Sequence, residues 1–349
     1  MSQTKAIILA AGKSTRMKSD LPKVLHDVCG RPMLSYVIEA GRQAGAEELI
    51  VVVGFGRELV KETFRDEAKI TWVTQEPQLG TGHAILVCRE ALAGFQGNVL
   101  ILCGDAPCIQ ASTIQKLRQR HEETGAAVTL LSAELADAAA YGRIVRDGQG
   151  GLKGIVEFKD CTPEQAAIRE VNSGYYCYRA ADLLWALERL TNNNAKSEYY
   201  LTDTVAALIG DGRRAEAYPG MSAGEMTAAN SRAELVAVSR VLHDRILAGH
   251  MDNGVTIVDP GTTFIDARAT IGQDTVVRPF TVLDGRVAVG ARCTIGPFAH
   301  LLDGATVPDG VQVGSFAQAR AAKAARRSAR RGKVERRSGR EPAARSGQR

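Results

Sequence analysis

Short apolar runs and amphipathic segments alternate through the first half of the chain. Ala6–Ala11, Leu49–Val53, Ile70–Thr74, Asn98–Cys103 and Val128–Ser132 are strand-length runs with few polar positions. Between them, Leu34–Ala44, Arg57–Glu67, His83–Leu92 and Ile114–Glu123 place apolar residues at helical spacing. Strands buried on both faces read as continuous apolar runs, and strands separated by helices pair in parallel. The pattern predicts an α/β, Rossmann-like fold with a mostly parallel sheet and helices on both faces. In such sheets ligands collect at the carboxyl ends of strands, so chemistry is expected where the apolar runs stop.

Beyond residue 135 the alternation loosens. Tyr141–Val145 and Gly154–Asp160 read as strands, followed by Glu170–Tyr176, in which Asn172-Ser173-Gly174 is turn-prone. Asn230 is a good N-cap for a helix with Leu235, Val238, Leu242 and Ile246 on one stripe. The period then changes. Ile265, Ile271, Val277, Leu283, Val289, Ile295, Leu301, Val307 and Val313 recur every six positions. Neither a helix nor a flat strand has that period, but a β-helix with three six-residue sides does, and nine repeats build about three coils.

From Ala317 onward the repeat stops, and apart from Ala the only aliphatic residue is Val334. Such a segment cannot bury a face and is expected to be disordered. A native basic tail, a shifted reading frame and a cloning artefact all give this composition, and the abrupt change favours the latter two. The tail also governs the charge. The net +5 of the 349 residues splits into +10 for this segment, twelve Lys and Arg against Glu335 and Glu341, and −5 for the rest, 32 basic against 37 acidic. A basic face for nucleic acid is therefore not expected of the folded body. No apolar stretch is long enough to span a membrane, no leader layout is present, and a cytoplasmic location is expected. Seven cysteines are scattered without a CxxC pair, so reduced thiols are expected rather than a zinc site or a disulfide framework.

Three strand ends carry candidate chemistry. Ala6–Ala11 runs into Gly12, Lys13, Ser14, Thr15 and Arg16, with Pro22-Lys23 beyond. Small residues let the backbone approach phosphate, and Arg16 and Lys23 add cations. After Ile70–Thr74 comes Gln75-Glu76-Pro77-Gln78-Leu79-Gly80-Thr81-Gly82-His83, where Thr81 can cap a helix starting near His83. After Asn98–Cys103 come Gly104 and Asp105; a carboxylate there can hold Mg²⁺ near phosphates or simply cap a turn.

The string LAAGKSTRMKSDLPK at residues 9–23 resembles the signature of sugar-nucleotide pyrophosphorylases. YGRI, VEFKD, EVNSG and EYYLTD, in that order, extend the resemblance to the N-acetylglucosamine-1-phosphate uridylyltransferase family over residues 5–316. It implies a nucleotidyltransferase domain over residues 1–229, a linker helix over 230–250 and an incomplete left-handed β-helix over 251–316, ahead of the 317–349 tail. The implied substrates are UTP and N-acetylglucosamine-1-phosphate, converted with Mg²⁺ to a cell-envelope precursor. The loop Leu9, Ala10, Ala11, Gly12 with Arg16 and Lys23 would meet phosphates. Gln75, Gly80 and Thr81 would read uracil. Cys103, Gly104 and Asp105 would lie beside them, with Cys103 where the family has an aromatic residue. Gly142, Glu157, Asn172 and Tyr199 would hold the sugar, and Asp105 and Asn230 the metal. Arg16, Lys23 and Asp105 are the expected catalytic residues.

The resemblance also implies a trimer through the β-helix. In longer bifunctional relatives that domain carries an acetyltransferase. Here the repeat is cut short and Leu302 stands where the family has a phosphate-binding Arg, so no acetyl-transfer residues are assigned. The rival readings are a nucleotidyltransferase for another base or sugar, a hexapeptide acyltransferase or trimeric scaffold, and nucleic-acid binding through the tail.

Overall fold

The computed structural model describes residues 2–13, 15–138, 140–193 and 197–319. β1 (Thr4–Ala10) leads, through the hairpin β2 (Asp27–Val28) and β3 (Arg31–Pro32), into α1 (Met33–Gln43). There follow β4 (Glu48–Val53), α2 (Arg57–Thr63), β5 (Ile70–Thr74), α3 (Thr81–Leu86), β6 (Asn98–Cys103), α4 (Ala111–Thr124) and β7 (Val128–Glu134). Next come β8 (Arg143–Arg146), β9 (Leu152–Val156), α5 (Pro163–Ala166), β10 (Glu170–Arg179), α6 (Ala180–Leu187), α7 (Thr202–Gly210) and β11 (Ala215–Tyr218). The long helix α8 (Arg232–Asp252) closes this part.

The main sheet runs β11-β7-β10-β6-β1-β4-β5, with β8 attached to β10 and β9 to β8. β1 pairs in parallel with β4 and β6, as does β4 with β5 and β7 with β11. β10 alone in that path is antiparallel to both neighbours. The sheet is thus Rossmann-like and mostly parallel, buried on both faces. Ala6, Ile8 and Ala10 join one apolar cluster, while Ile7 and Ala11 join the other. That two-sided burial is why the strands read as unbroken apolar runs.

Two local expectations are corrected. The strand expected over Gly154–Asp160 stops at Val156, and Phe158–Asp160 turns into a 3-10 helix. Asn172-Ser173-Gly174 is not a turn between strands but an irregularity inside β10, where the register with β7 shifts between Asn172 and Tyr176. The strand continues because Tyr176, Cys177 and Tyr178 are buried beyond the irregularity.

The six-residue repeat forms a three-sided parallel β-helix of two-residue strands, β12 (Thr256–Ile257) to β22 (Gln318–Ala319). Ile265 pairs with Leu283 and Leu283 with Leu301, one coil being 18 residues. Ile257 pairs with Val277 instead, because the Pro260–Thr262 turn adds two residues to the first coil. The repeat side chains point inward, with Ile265, Val277, Leu283, Ile295 and Leu301 at 0 % exposure. The ladder also runs past its expected end: Gln318 and Ala319 pair with His300 and Leu301. Ala319 falls six residues after Val313, so the backbone pairing keeps the six-residue spacing. The rest of the expected tail, 320–349, lies outside the described residues.

α8 joins the two parts. Val238 and Leu242 pack with Val28, Cys29, Met33 and Cys108, and Leu247 enters the β-helix core. The hairpin touches the first coil directly. Ala267 N–H donates to Cys29 O at 3.0 Å, and a Cβ on Gly30 (φ +83°) would lie 1.6 Å from Asp266 Oδ2. All seven cysteines are unpaired, five of them buried. Among the described residues no helix is long and apolar enough to cross a membrane.

Candidate active site

A cavity of about 910 Å³ opens at the carboxyl ends of β1, β5 and β6. Leu9, Ala10, Ala11, Gly12 and Lys13 line one side, Gln75, Gln78, Gly80 and Thr81 another, and Cys103, Asp105 and Lys23 the floor. Glu157 to Asp160, Glu198 and Tyr200 close the far side.

At one edge three residues distant in sequence converge. Lys23 Nζ donates to Asp105 Oδ2 and, at 2.9 Å, to Asn230 Oδ1. Each is placed by local rules. Pro22, in an extended conformation, precedes the 3-10 turn that starts at Lys23. Asp105 follows the end of β6, where Tyr175 OH donates to Ala106 O at 3.0 Å. Ala229 N–H donates to Asp105 O at 3.1 Å, which lays the entry to α8 against that strand end.

The cap of α8 is a correction to the sequence reading. Ser231, not Asn230, accepts from Glu234 N–H, and the Glu234 carboxylate accepts the Asn230 N–H at 2.6 Å. With the capping done by its neighbour, the Asn230 amide is available to Lys23. A second correction concerns Thr81. α3 begins at Thr81 itself, after Gly80 at φ +100°, and Thr81 Oγ1 instead accepts from Leu201 N–H at 3.2 Å. Gly80 is required there: a Cβ would lie 2.5 Å from Tyr199 O.

Gly142, Glu157 and Asn172 also come together. Asn172 N–H donates to Gly142 O at 2.8 Å, and a Cβ on Gly142 would lie 3.7 Å from Glu157 Oε1. The Asn172 amide donates to Tyr176 OH at 2.7 Å and accepts from Gly174 N–H at 3.2 Å. Gly104, Gly142, Asn172 and Asn230 lie beside the cavity rather than on its lining. Arg16 is exposed on the Thr15–Met17 turn and is not among the lining residues. Tyr199 turns its ring toward His83, with centroids 6.2 Å apart, while its neighbours Glu198 and Tyr200 face the cavity.

Of the lining residues that sequence reasoning missed, Lys13, Gln78, Phe158, Lys159, Asp160, Glu198 and Tyr200 sit inside the motifs that drew attention, while Val24, Ala84 and Ala140 each lie one residue outside one. The motif gives the loop; which member points inward depends on how the loop folds. Gln78, for example, donates to Ala11 O and so ties the second loop to the first.

Cys103 is no nucleophile. Burial first, and the charge of Asp105 second, push its thiol up to about 12, so it stays protonated near neutrality. Among the described residues no three His, Cys, Asp or Glu converge as a metal site. What converges is a carboxylate oxygen, an amide oxygen and an ammonium, an arrangement for phosphate and hard cations.

Residues 6–197 match the family described as MobA-like NTP transferase domain. The chain belongs to that family. It is 48 % identical over 276 residues to the "Bifunctional protein GlmU" of Pelotomaculum thermopropionicum, covering 79 % of this chain and 60 % of that protein. With the protein of the same name from Geobacillus thermodenitrificans the identity is 46 % over 278 residues, covering 80 % and 60 %. The chain thus spans about 60 % of the length of these curated relatives. A UDP-glucose pyrophosphorylase solved with UDP-glucose superposes with a TM-score of 0.57 at 20 % identity, over 70 % of this chain and 99 % of that one. This places the nucleotidyltransferase fold on the front of the molecule.

Proposed function

We propose that this NTP transferase moves a uridylyl group from UTP to N-acetylglucosamine-1-phosphate, releasing pyrophosphate. The observation that carries the reading is the meeting of Lys23, Asp105 and Asn230 at the edge of a cavity floored by three strand ends. The ordered motifs YGRI, VEFKD, EVNSG and EYYLTD support an N-acetylated sugar over the glucose of the structural neighbour, whose own nucleotide is a uridine one.

In this reading a phosphate oxygen of the sugar phosphate attacks the α-phosphorus of UTP. A new O–P bond forms as the α–β bridge breaks, and the electron pair leaves with pyrophosphate. The nucleophile is already anionic, so the protein's work is positioning and charge stabilisation. Backbone amides around Gly12 and the Arg16 and Lys23 side chains offset charge on the triphosphate. Gln75 and the Gly80-Thr81 segment take the base. Gly142, Glu157 and Asn172 take the sugar, whose hydroxyls and acetamido group suit an amide that donates and accepts.

Asp105 and Asn230 fit a magnesium ion. Their oxygens are hard donors, and they already converge on one cationic atom, the Lys23 ammonium. When bound, the ion supplies charge neutralisation at the phosphate oxygens. Residues 1–229 form the catalytic unit in this proposal, 230–250 the linker, and 251–316 a β-helix that assembles the chain as a trimer.

The test is a panel of four nucleoside triphosphates against N-acetylglucosamine-1-phosphate, glucose-1-phosphate and glucosamine-1-phosphate, read as pyrophosphate release. UTP with the first sugar should be fastest by at least about tenfold. Faster turnover of any other pair assigns the site to that pair instead.

A further inference from the structure

We propose that His83 is a specificity-determining positioning residue that fixes the Gln75 amide so that its carbonyl oxygen faces the base. The inference rests on the uridylyl reading of the site. Gln75 is only 5 % exposed and lines the cavity just beyond β5, its own N–H donating to Val53 O at 2.8 Å. Its side-chain Nε2 donates to Gly80 O at 2.9 Å and lies 3.3 Å from His83 Nδ1. A backbone carbonyl only accepts, so the amide nitrogen must be the atom that faces it. With His83 in the tautomer that leaves Nδ1 unprotonated, the ring accepts the second amide hydrogen, an assignment that follows from these partners. Both hydrogens are then committed, and Oε1 is the atom left for the cavity. His83 is held in turn: it sits in the first turn of α3, and its ring lies 6.2 Å from that of Tyr199.

An acceptor fixed at this place suits a pyrimidine whose ring nitrogen carries a hydrogen, as uracil does. Cytosine presents a lone pair at the same ring position, so two acceptors would face each other. A site built around a hydrogen bond discriminates against the base that cannot make it. If the amide could turn over, it would offer a donor, and that discrimination would fade.

The experiment measures kcat/KM for UTP and CTP with N-acetylglucosamine-1-phosphate in the full chain, wild type and three variants. His83→Ala should lower the UTP-to-CTP preference about tenfold, mainly through KM for UTP, with the unfolding midpoint unmoved. His83→Phe keeps a ring against Tyr199 but cannot accept, and should lose the same preference even if the alanine variant folds poorly. His83→Asn, whose Oδ1 can accept, should recover most of it. A wild type that prefers UTP alongside a His83→Phe variant with the same ratio overturns this inference alone. A wild type that turns over neither pyrimidine overturns the uridylyl reading and this inference with it.

Discussion

The front sheet and the β-helix solve opposite problems with the same apolar residues. In the β-helix, after a first coil two residues longer, each two-residue strand meets the strand 18 residues on, as Ile265 meets Leu283. Stability there is a sum of near-identical local contacts. In the front part, Lys23 reaches Asp105 across 82 residues and Asn230 across 207. No local rule brings these three together; the sheet order and the docking of α8 do. A repeat therefore advertises itself in the sequence, whereas a site is assembled from ends of elements that have no pattern in common. It also follows that damage should separate: chemistry lost without stability in front, stability lost without chemistry behind.

Asp105→Ala is the sharpest test of that separation. Under the proposed reaction it should slow Mg²⁺-dependent pyrophosphate release about a thousandfold, or about 4 kcal/mol of transition-state stabilisation. Its thermal midpoint should stay at the wild-type value, since the carboxylate is partly exposed and sits at a strand end. Near-normal turnover would take Asp105 out of the mechanism.

Leu283→Ala should do the reverse. Leu283 is at 0 % exposure inside the β-helix, and truncation there should cost about 3 kcal/mol of stability. Urea unfolding should show it, while kcat for the remaining folded enzyme stays within about twofold. A large loss of kcat at full folding would mean that the coils help shape the site.

The pH dependence of the front part rests partly on His121, which is 2 % exposed beneath the sheet. Burial first and Arg179 second lower its imidazole from 6.5 to about 4. The unfolded chain therefore binds a proton more tightly than the native one between those values. Stability is full above pH 6.5 and falls as the pH drops toward 4, by about 2 kcal/mol between pH 7 and pH 5. Urea midpoints at the two pH values measure it, and His121→Gln should remove that part of the slope.

The smallest effect is expected at the junction. Ser231→Ala removes the cap of α8 and should cost about 1 kcal/mol. If Asn230 then takes over the capping, its amide leaves Lys23, and activity falls more than stability does. Equal loss in the two readouts would show the cap and the site to be independent.

Local pattern carried most of the fold. Ile70–Thr74 and Asn98–Cys103 have as strands the bounds that their apolar runs have in the sequence, and the inward ladder of the β-helix is the six-residue repeat itself. These features follow from periodicity, which a one-dimensional string displays. The elements misread were those where an irregularity sits inside a strand, as at Asn172–Gly174, or where a pairing segment carries no bulky apolar residue, as at Gln318–Ala319.

For the site, the sequence determined which loops gather at the strand ends and which residue types they bring. Only the tertiary structure decided that Ser231 caps α8 and leaves Asn230 to Lys23, that Tyr200 rather than Tyr199 lines the cavity, and that His83 reaches the Gln75 amide. The physical reason is that a motif fixes composition and order along the chain, while the direction of a side chain is set by hydrogen bonds to residues far away in it.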